Sequence, residues 1–215
     1  MADLDISEVR ICNMALSNVG ASSSIESLTE GSAESNECNL WYTYSRKQAL
    51  ATYDWSWARK RLTLATHTDS PPDGVWGYRY QYPSDAIVMR KMQNPSGITA
   101  VVFLSDENLD SGSTDAVPYS IEVSDDGTKS ILTNLDDAVG VYTFDQTDTT
   151  LFSEFFVAMF AFALGANIAH ALTGKQEVRE GMIASFQQMV RQAPASNANE
   201  EVRKPPRDTA WIRGR

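Results

Sequence analysis

The chain is poor in the residues on which most enzyme and metal chemistry rests. Only Cys12 and Cys38 are cysteines, and only His67 and His170 are histidines. With no Cys-x-x-Cys pair and no clustered histidines, the sequence implies neither a disulfide framework nor a zinc site, and a reducing cytoplasm fits. His67 lies in a strand-like run and His170 near the end of an apolar helix, where it is expected to cap or pair in the core. Neither has a nucleophile setting such as Gly-x-Ser-x-Gly, so no catalytic residue is assigned. The glycines form neither a P-loop nor a dinucleotide fingerprint, and no cofactor is expected. Asp106, Asn108 and Asp110 match the first three ligand places of a calcium loop. Ser111 and Val117 then stand where that loop needs glycine and glutamate, so an acidic solvated loop is the better reading.

Long hydrophobic runs are missing too. In the most membrane-like stretch, Leu151–Leu172, the uninterrupted apolar run reaches only from Phe155 to Ala166. That is about half of the roughly 20 residues a span needs, which points to a buried core helix. Asp3 and Asp5 stand where a secretory signal would carry bases, so synthesis in the cytoplasm is expected.

Positive charge is scarce and unevenly placed. The net charge is -10, which argues against a surface that grips DNA or acidic lipid throughout. Between Thr99 and Asp148 only Lys129 opposes a run of acids that includes Asp125, Asp126, Asp136 and Asp137. Those four are the candidates for an acidic surface that does not hold DNA. The balance reverses at the C-terminal end, where Arg203, Lys204, Arg207, Arg213 and Arg215 face only Asp208, with Trp211 and Ile212 among them. This reads as a basic arm able to dock on an acidic partner through an aromatic anchor. Solubility and a frayed tail are the plain alternatives.

Periodicity supplies the fold. Asp5 and Glu8 have capping-box spacing, and Val9, Cys12, Leu16 and Val19 follow at helical intervals up to Gly20. Ser32 is a second N-cap, opening a helix on which Leu40, Trp41, Tyr44, Ala51 and Trp55 share one arc. Their aromatic bulk predicts that this arc faces the core, where Trp41, Tyr44, Trp55, Phe156, Phe160, Met182 and Phe186 would hold a bundle together. From Arg61 the pattern changes to strands separated by turn signals: Arg61–Thr66, Tyr78–Tyr82, Ile87–Met92, Thr99–Leu104, Tyr119–Val123, Ser130–Thr133 and Gly140–Phe144. The clearest hairpin turns at Asp126–Gly127. Helices return at Leu151–Leu172, stopped by Gly174, and from Gln176 to Ala193, stopped by Pro194.

The predicted fold is α+β. Residues 1–60 and 149–194 supply the two helix pairs of a four-helix bundle, 61–148 an inserted antiparallel β domain, and 195–215 an extended arm.

Several segments together resemble the tail tubular protein A family, the head-to-tail adaptors of short-tailed bacteriophages. They are Arg10–Ala21, Ile25–Leu28, the helix Glu34–Trp57 with Arg46 and Asp54-Trp55-Ser56-Trp57, then Trp76–Asp85, and the helix pair Phe152–Ala193 joined by Gly174-Lys175-Gln176-Glu177. No single motif is diagnostic; the combination and its order carry the resemblance, and the acidic stretch Leu104–Val117 has no counterpart in the pattern. The resemblance implies a non-enzymatic virion protein, made in the host cytoplasm. It implies a ring of about twelve copies that joins the portal to the tail tube or nozzle protein and lines the channel through which DNA passes unbound. Arg203, Lys204, Arg207, Trp211, Ile212 and Arg213 would then dock on the portal or a neighbouring copy. Other readings left open are a head-completion or tail-terminator protein, a hydrolase working through paired carboxylates, and a nucleic-acid-binding module, for which a continuous basic face is lacking.

Overall fold

The computed structural model describes residues 6–72, 74–94 and 117–198, and the fold is mixed helix and sheet. Its elements are α1 (Glu8–Val19), α2 (Ala33–Thr52), β1 (Arg59–Thr63), β2 (Tyr78–Gln81), β3 (Ala86–Gln93), β4 (Tyr119–Val123), β5 (Lys129–Thr133), β6 (Val139–Phe144), α3 (Glu154–Thr173) and α4 (Gln176–Ala198). The chain divides into two compact units, one formed by residues through Ser45 together with those from Phe152 on, the other by Arg46–Leu151.

In the helical unit the ends follow from local chemistry. Ser7 caps α1 by accepting the Arg10 N–H at 3.2 Å, a role the sequence gave to Asp5, which lies outside the described residues. Gly20 closes α1 and Gly174 closes α3 in the left-handed conformation, at φ 76° and 66°. Ser32 accepts the Ser35 N–H to open α2, and Ser153 accepts the Phe156 N–H to open α3. More than half of α3 is buried, including Phe156, Phe160, Leu164 and Ile168, as befits a helix apolar on all sides. By length and composition it could cross a membrane; here α1 and α4 pack against it. Close approach is allowed at Gly165, where a methyl group would stand 3.4 Å from Met182 Sδ and from Val19 Cγ1.

Three expectations about the helices need correction. The buried residues of α2 are Ser35, Cys38, Tyr42, Ser45, Arg46, Ala49 and Leu50, whereas Leu40 and Tyr44 are 67% and 56% exposed. Leu40 and Tyr44 thus point outward with Trp41 and Ala51 half-buried, whereas Trp55, just past the helix, is buried as expected; the face of small and amphipathic residues packs, with Tyr42 against Phe160 at 5.0 Å between ring centroids. Pro194 does not stop α4, which continues to Ala198. A proline forfeits one backbone bond and crowds the preceding turn, yet the helix runs past it, with Ala193 beside it fully buried. His170 is exposed, and its carbonyl accepts the Gly174 N–H instead.

Among the described residues the second unit holds two three-stranded antiparallel sheets, ordered β1-β6-β3 and β2-β5-β4. Each predicted strand in the described residues has its counterpart; Thr99–Leu104 lies outside them. Leu64, Tyr80, Met89, Met92, Ile131, Ala138 and Tyr142 form the unit's core, drawing on both sheets. Asp126–Gly127 makes the predicted turn between β4 and β5, with Gly127 at φ 80°. The pairing of β3 with β6 shifts register between Met89 and Lys91. This bulge keeps Met89 and Met92 in the core while Arg90 turns away from it. Arg90 Nε donates to Thr143 Oγ1 at 2.9 Å, and its Nη2 reaches the carbonyls of Leu50, Ala51 and Tyr53 at 3.2, 3.1 and 2.6 Å.

Two stability outcomes follow. Phe160→Ala should lower unfolding free energy by about 3–5 kcal/mol in denaturant titration, and Leu40→Ala should stay within about 0.5 kcal/mol, whereas a core-facing arc would make both costly. Arg90→Met should cost about 2–3 kcal/mol, and Arg90→Lys should not restore it, because one ammonium cannot span the hydroxyl and the carbonyls together.

Candidate functional site

The densest polar cluster in the sheet unit surrounds His67. Residues 64–67 lie alongside β2, where His67 N–H donates to the Arg79 carbonyl at 2.9 Å and Thr66 bridges to Tyr80. This brings the His67 ring, whose side chain is only 4% exposed, against the β4–β5 turn. Nε2 lies 3.2 Å from both Ser124 Oγ and Thr128 Oγ1 and 3.5 Å from Asp126 Oδ2. On the other side Nδ1 accepts the Asp69 N–H at 3.0 Å. Asp69 Oδ2 is buried without a hydrogen-bond partner, 3.8 Å from Nδ1 and 3.9 Å from Arg79 Nη1.

These contacts fix the chemistry available. Because Nδ1 accepts an amide proton, the neutral ring carries its own proton on Nε2 and donates it toward the turn. Ser124, His67 and Asp69 therefore have the composition of a nucleophilic triad but the wrong tautomer for Nε2 to take the serine proton. Ser124 Oγ is itself engaged with Asp126 Oδ1 at 2.7 Å and the Thr128 carbonyl at 2.9 Å. Among the described residues, His67, Asp69 and Asp126 are also a group that could hold a cation, their ligand-type atoms lying within 4.8 Å of one another. A metal on Nε2 would need the opposite tautomer and would cost the Asp69 amide bond, while Arg79 already places positive charge beside Asp69. The cluster is built to pin the turn. The sequence reading weighed His67 alone, and nothing in the spacing of residues 67, 69, 79 and 126 announces that they meet.

The four acids proposed as a surface are split by the fold. Asp125 and Asp126 sit in the β4–β5 turn, and Asp136 and Asp137 in the β5–β6 connection, with all four exposed. The five residues of β5 separate the pairs by on the order of 17 Å. Bonds from the Thr128 hydroxyl, the Thr128 N–H and the Ser124 hydroxyl pull the Asp126 carboxyl down to about 2. Asp145, another acid of the same run, is taken by a bidentate pair from Arg46 at 3.1 and 3.2 Å. An open depression lined by Tyr82, Pro83, Ser84, Ala86, Thr128 and Lys129 contains no carboxylate. The docking residues Arg203, Lys204, Arg207, Trp211, Ile212 and Arg213, with Asp106, Asn108 and Asp110, lie outside the described residues.

The strongest surface feature that sequence reasoning missed is the outer face of α2. Glu37, Leu40, Trp41 and Tyr44 fall at helical intervals along one stripe, with the Trp41 and Tyr44 rings edge-on at 5.8 Å. The signal was present in the sequence, but the residues were assigned to the core. No known protein family and no curated protein sequence matches the chain.

Asp126 gives a pH test. A carboxyl held low by folded-state bonds contributes stability above its ordinary range, near pH 4, and loses it as pH falls toward 2. Asp126→Asn should therefore melt lower than the unsubstituted protein at pH 7, with the gap closing between about pH 4 and 2. A gap that stays constant across that range would show that the turn does not depend on the ionised group.

Proposed function

We propose that this protein is a structural head-to-tail adaptor of a short-tailed bacteriophage, one copy of a ring of about twelve below the portal. The helices of both chain ends form its bundle, and the sheet unit is the inserted domain. What chiefly supports this reading is the outer face of α2, where Leu40 and Tyr44 stand in solvent beside half-buried Trp41 on a helix whose other face is packed. Exposed apolar faces of this kind are characteristic of subunits that meet partners. Charge agrees with the role, because exposed Asp125, Asp136 and Asp137 give phosphate nothing to release counterions against. The C-terminal bases with Trp211 and Ile212 serve as the arm that docks on the portal or a neighbouring copy in the assembled particle.

The test is the mass of the protein alone and after mixing with the portal from the same genome. The expected result is a stoichiometric complex carrying about twelve copies on one face of the portal. In phage carrying Asp125→Lys, Asp136→Lys and Asp137→Lys together, particles should assemble and genome ejection should slow. No complex with the portal, at any salt concentration, would refute the adaptor reading.

A further inference from the structure

The outer face of α2 calls for a cover, and the chain itself contains a segment of matching chemistry. Along the stripe, Glu34 and Glu37 stand at the N-terminal end and Leu40, Trp41 and Tyr44 follow, the last of these more than half exposed. The face is therefore acidic, then aromatic and aliphatic. From Val202 to Arg215 the chain offers the complement, with Arg203, Lys204, Arg207, Arg213 and Arg215 against a single acid, Asp208, and the adjacent apolar pair Trp211–Ile212. Tryptophan and arginine are the side chains that most often anchor such contacts, and an arginine gains further by lying over Trp41 or Tyr44.

We propose that in the free protein the segment Val202–Arg215 docks on the outer face of α2 of the same molecule, with Trp211 and Ile212 against Leu40, Trp41 and Tyr44, and the bases beside Glu34 and Glu37. Two magnitudes favour this occupant over a second copy. The described residues end at Ala198 in α4, and thirteen residues separate it from Trp211, a length of chain that can span up to about 45 Å, enough to cross a domain of this size. A tethered segment also presents itself at an effective concentration in the millimolar range, about a thousandfold above that of free copies at micromolar concentration. The contact covers the apolar face and occupies the basic arm until an assembly partner displaces it. It concerns the free chain, so its failure leaves the adaptor reading standing.

The experiment uses the full chain with the photo-cross-linking residue p-benzoylphenylalanine at position 211, irradiated across a tenfold dilution near 1 μM, with cross-links mapped by mass spectrometry. A second protein carries the probe at position 40 and keeps Trp211. The expected result is an intramolecular link from position 211 to the Glu34–Lys47 stretch, and from position 40 to Val202–Arg215, with yields unchanged by dilution. Glu34→Lys with Glu37→Lys should lower the yield from the position-211 probe at least about tenfold while the melting temperature holds, and so should 0.5 M salt. Links that form only between copies, that map elsewhere, or that survive the charge reversal would overturn the proposal.

Discussion

The sheet unit depends on how α2 ends. A helix leaves its last carbonyls without partners, and a glycine in the left-handed conformation usually answers by turning the chain back. Tyr53, not a glycine, comes directly after Thr52. Side chains answer instead: the Thr52 hydroxyl and the Trp55 indole N–H donate to the Ala49 carbonyl at 2.7 and 3.4 Å, and Arg90 serves Leu50 and Ala51 from β3. The guanidinium is available only because the β3 bulge turns Arg90 away from the core while both flanking methionines stay inside. Burial lowers the pKa of Arg90, yet the group remains a cation, which suits it to the negative end of a helix.

A second clamp acts one turn earlier. Arg46, with a side chain 7% exposed, holds Asp145 just beyond β6, and Lys47 approaches the same carboxylate at 3.5 Å. A buried ion pair of this kind gains little net free energy once desolvation is counted, but removing one partner strands a charge. Its value lies in register. Arg46 and Arg90 hold residues 46–53, which belong to the same compact unit as the sheets, at two points, one against the residue after β6 and one against β3. The same pair changes the charge reading, because Asp145 is spent on structure and contributes little to any outward field.

Element type and most boundaries were legible wherever local chemistry decides them. Ser32, Gly20 and Gly174 mark helix ends through bonds they make to their own neighbourhood, and Asp126–Gly127 marks its hairpin for the same reason. What escaped depends on partners far along the chain. Strand alternation does not say that β6 pairs with β1 and β3 while β5 pairs with β2 and β4, so one β region resolved into two sheets. The site around His67 escaped likewise, since its members come from a connecting segment, a strand and a hairpin turn. The face of α2 was misread for another reason. Summed hydrophobicity favours the arc with Leu40, Trp41 and Tyr44, but the side that is buried carries the small residues Ser35, Cys38, Ser45 and Ala49. Pro194 was read by its intrinsic preference to end helices, and α4 runs past it.

That inversion of α2 has a consequence for the charge of the whole chain. Cys12 and Cys38 illustrate the inner face: both are fully buried, and a hydrogen bond to Cys38 together with burial pushes the Cys12 thiol far up, so it stays protonated and inert. The outer face has the opposite character and would, on a neutral protein, invite indiscriminate association, since each 100 Å² of apolar surface buried returns about 2.5 kcal/mol. A net charge of -10 opposes that by long-range repulsion between copies, while bases concentrated in one C-terminal stretch remain attracted. Net acidity therefore weakens contact between copies through the aromatic face. It leaves that face open to a basic segment or to a partner whose contacts outweigh the repulsion.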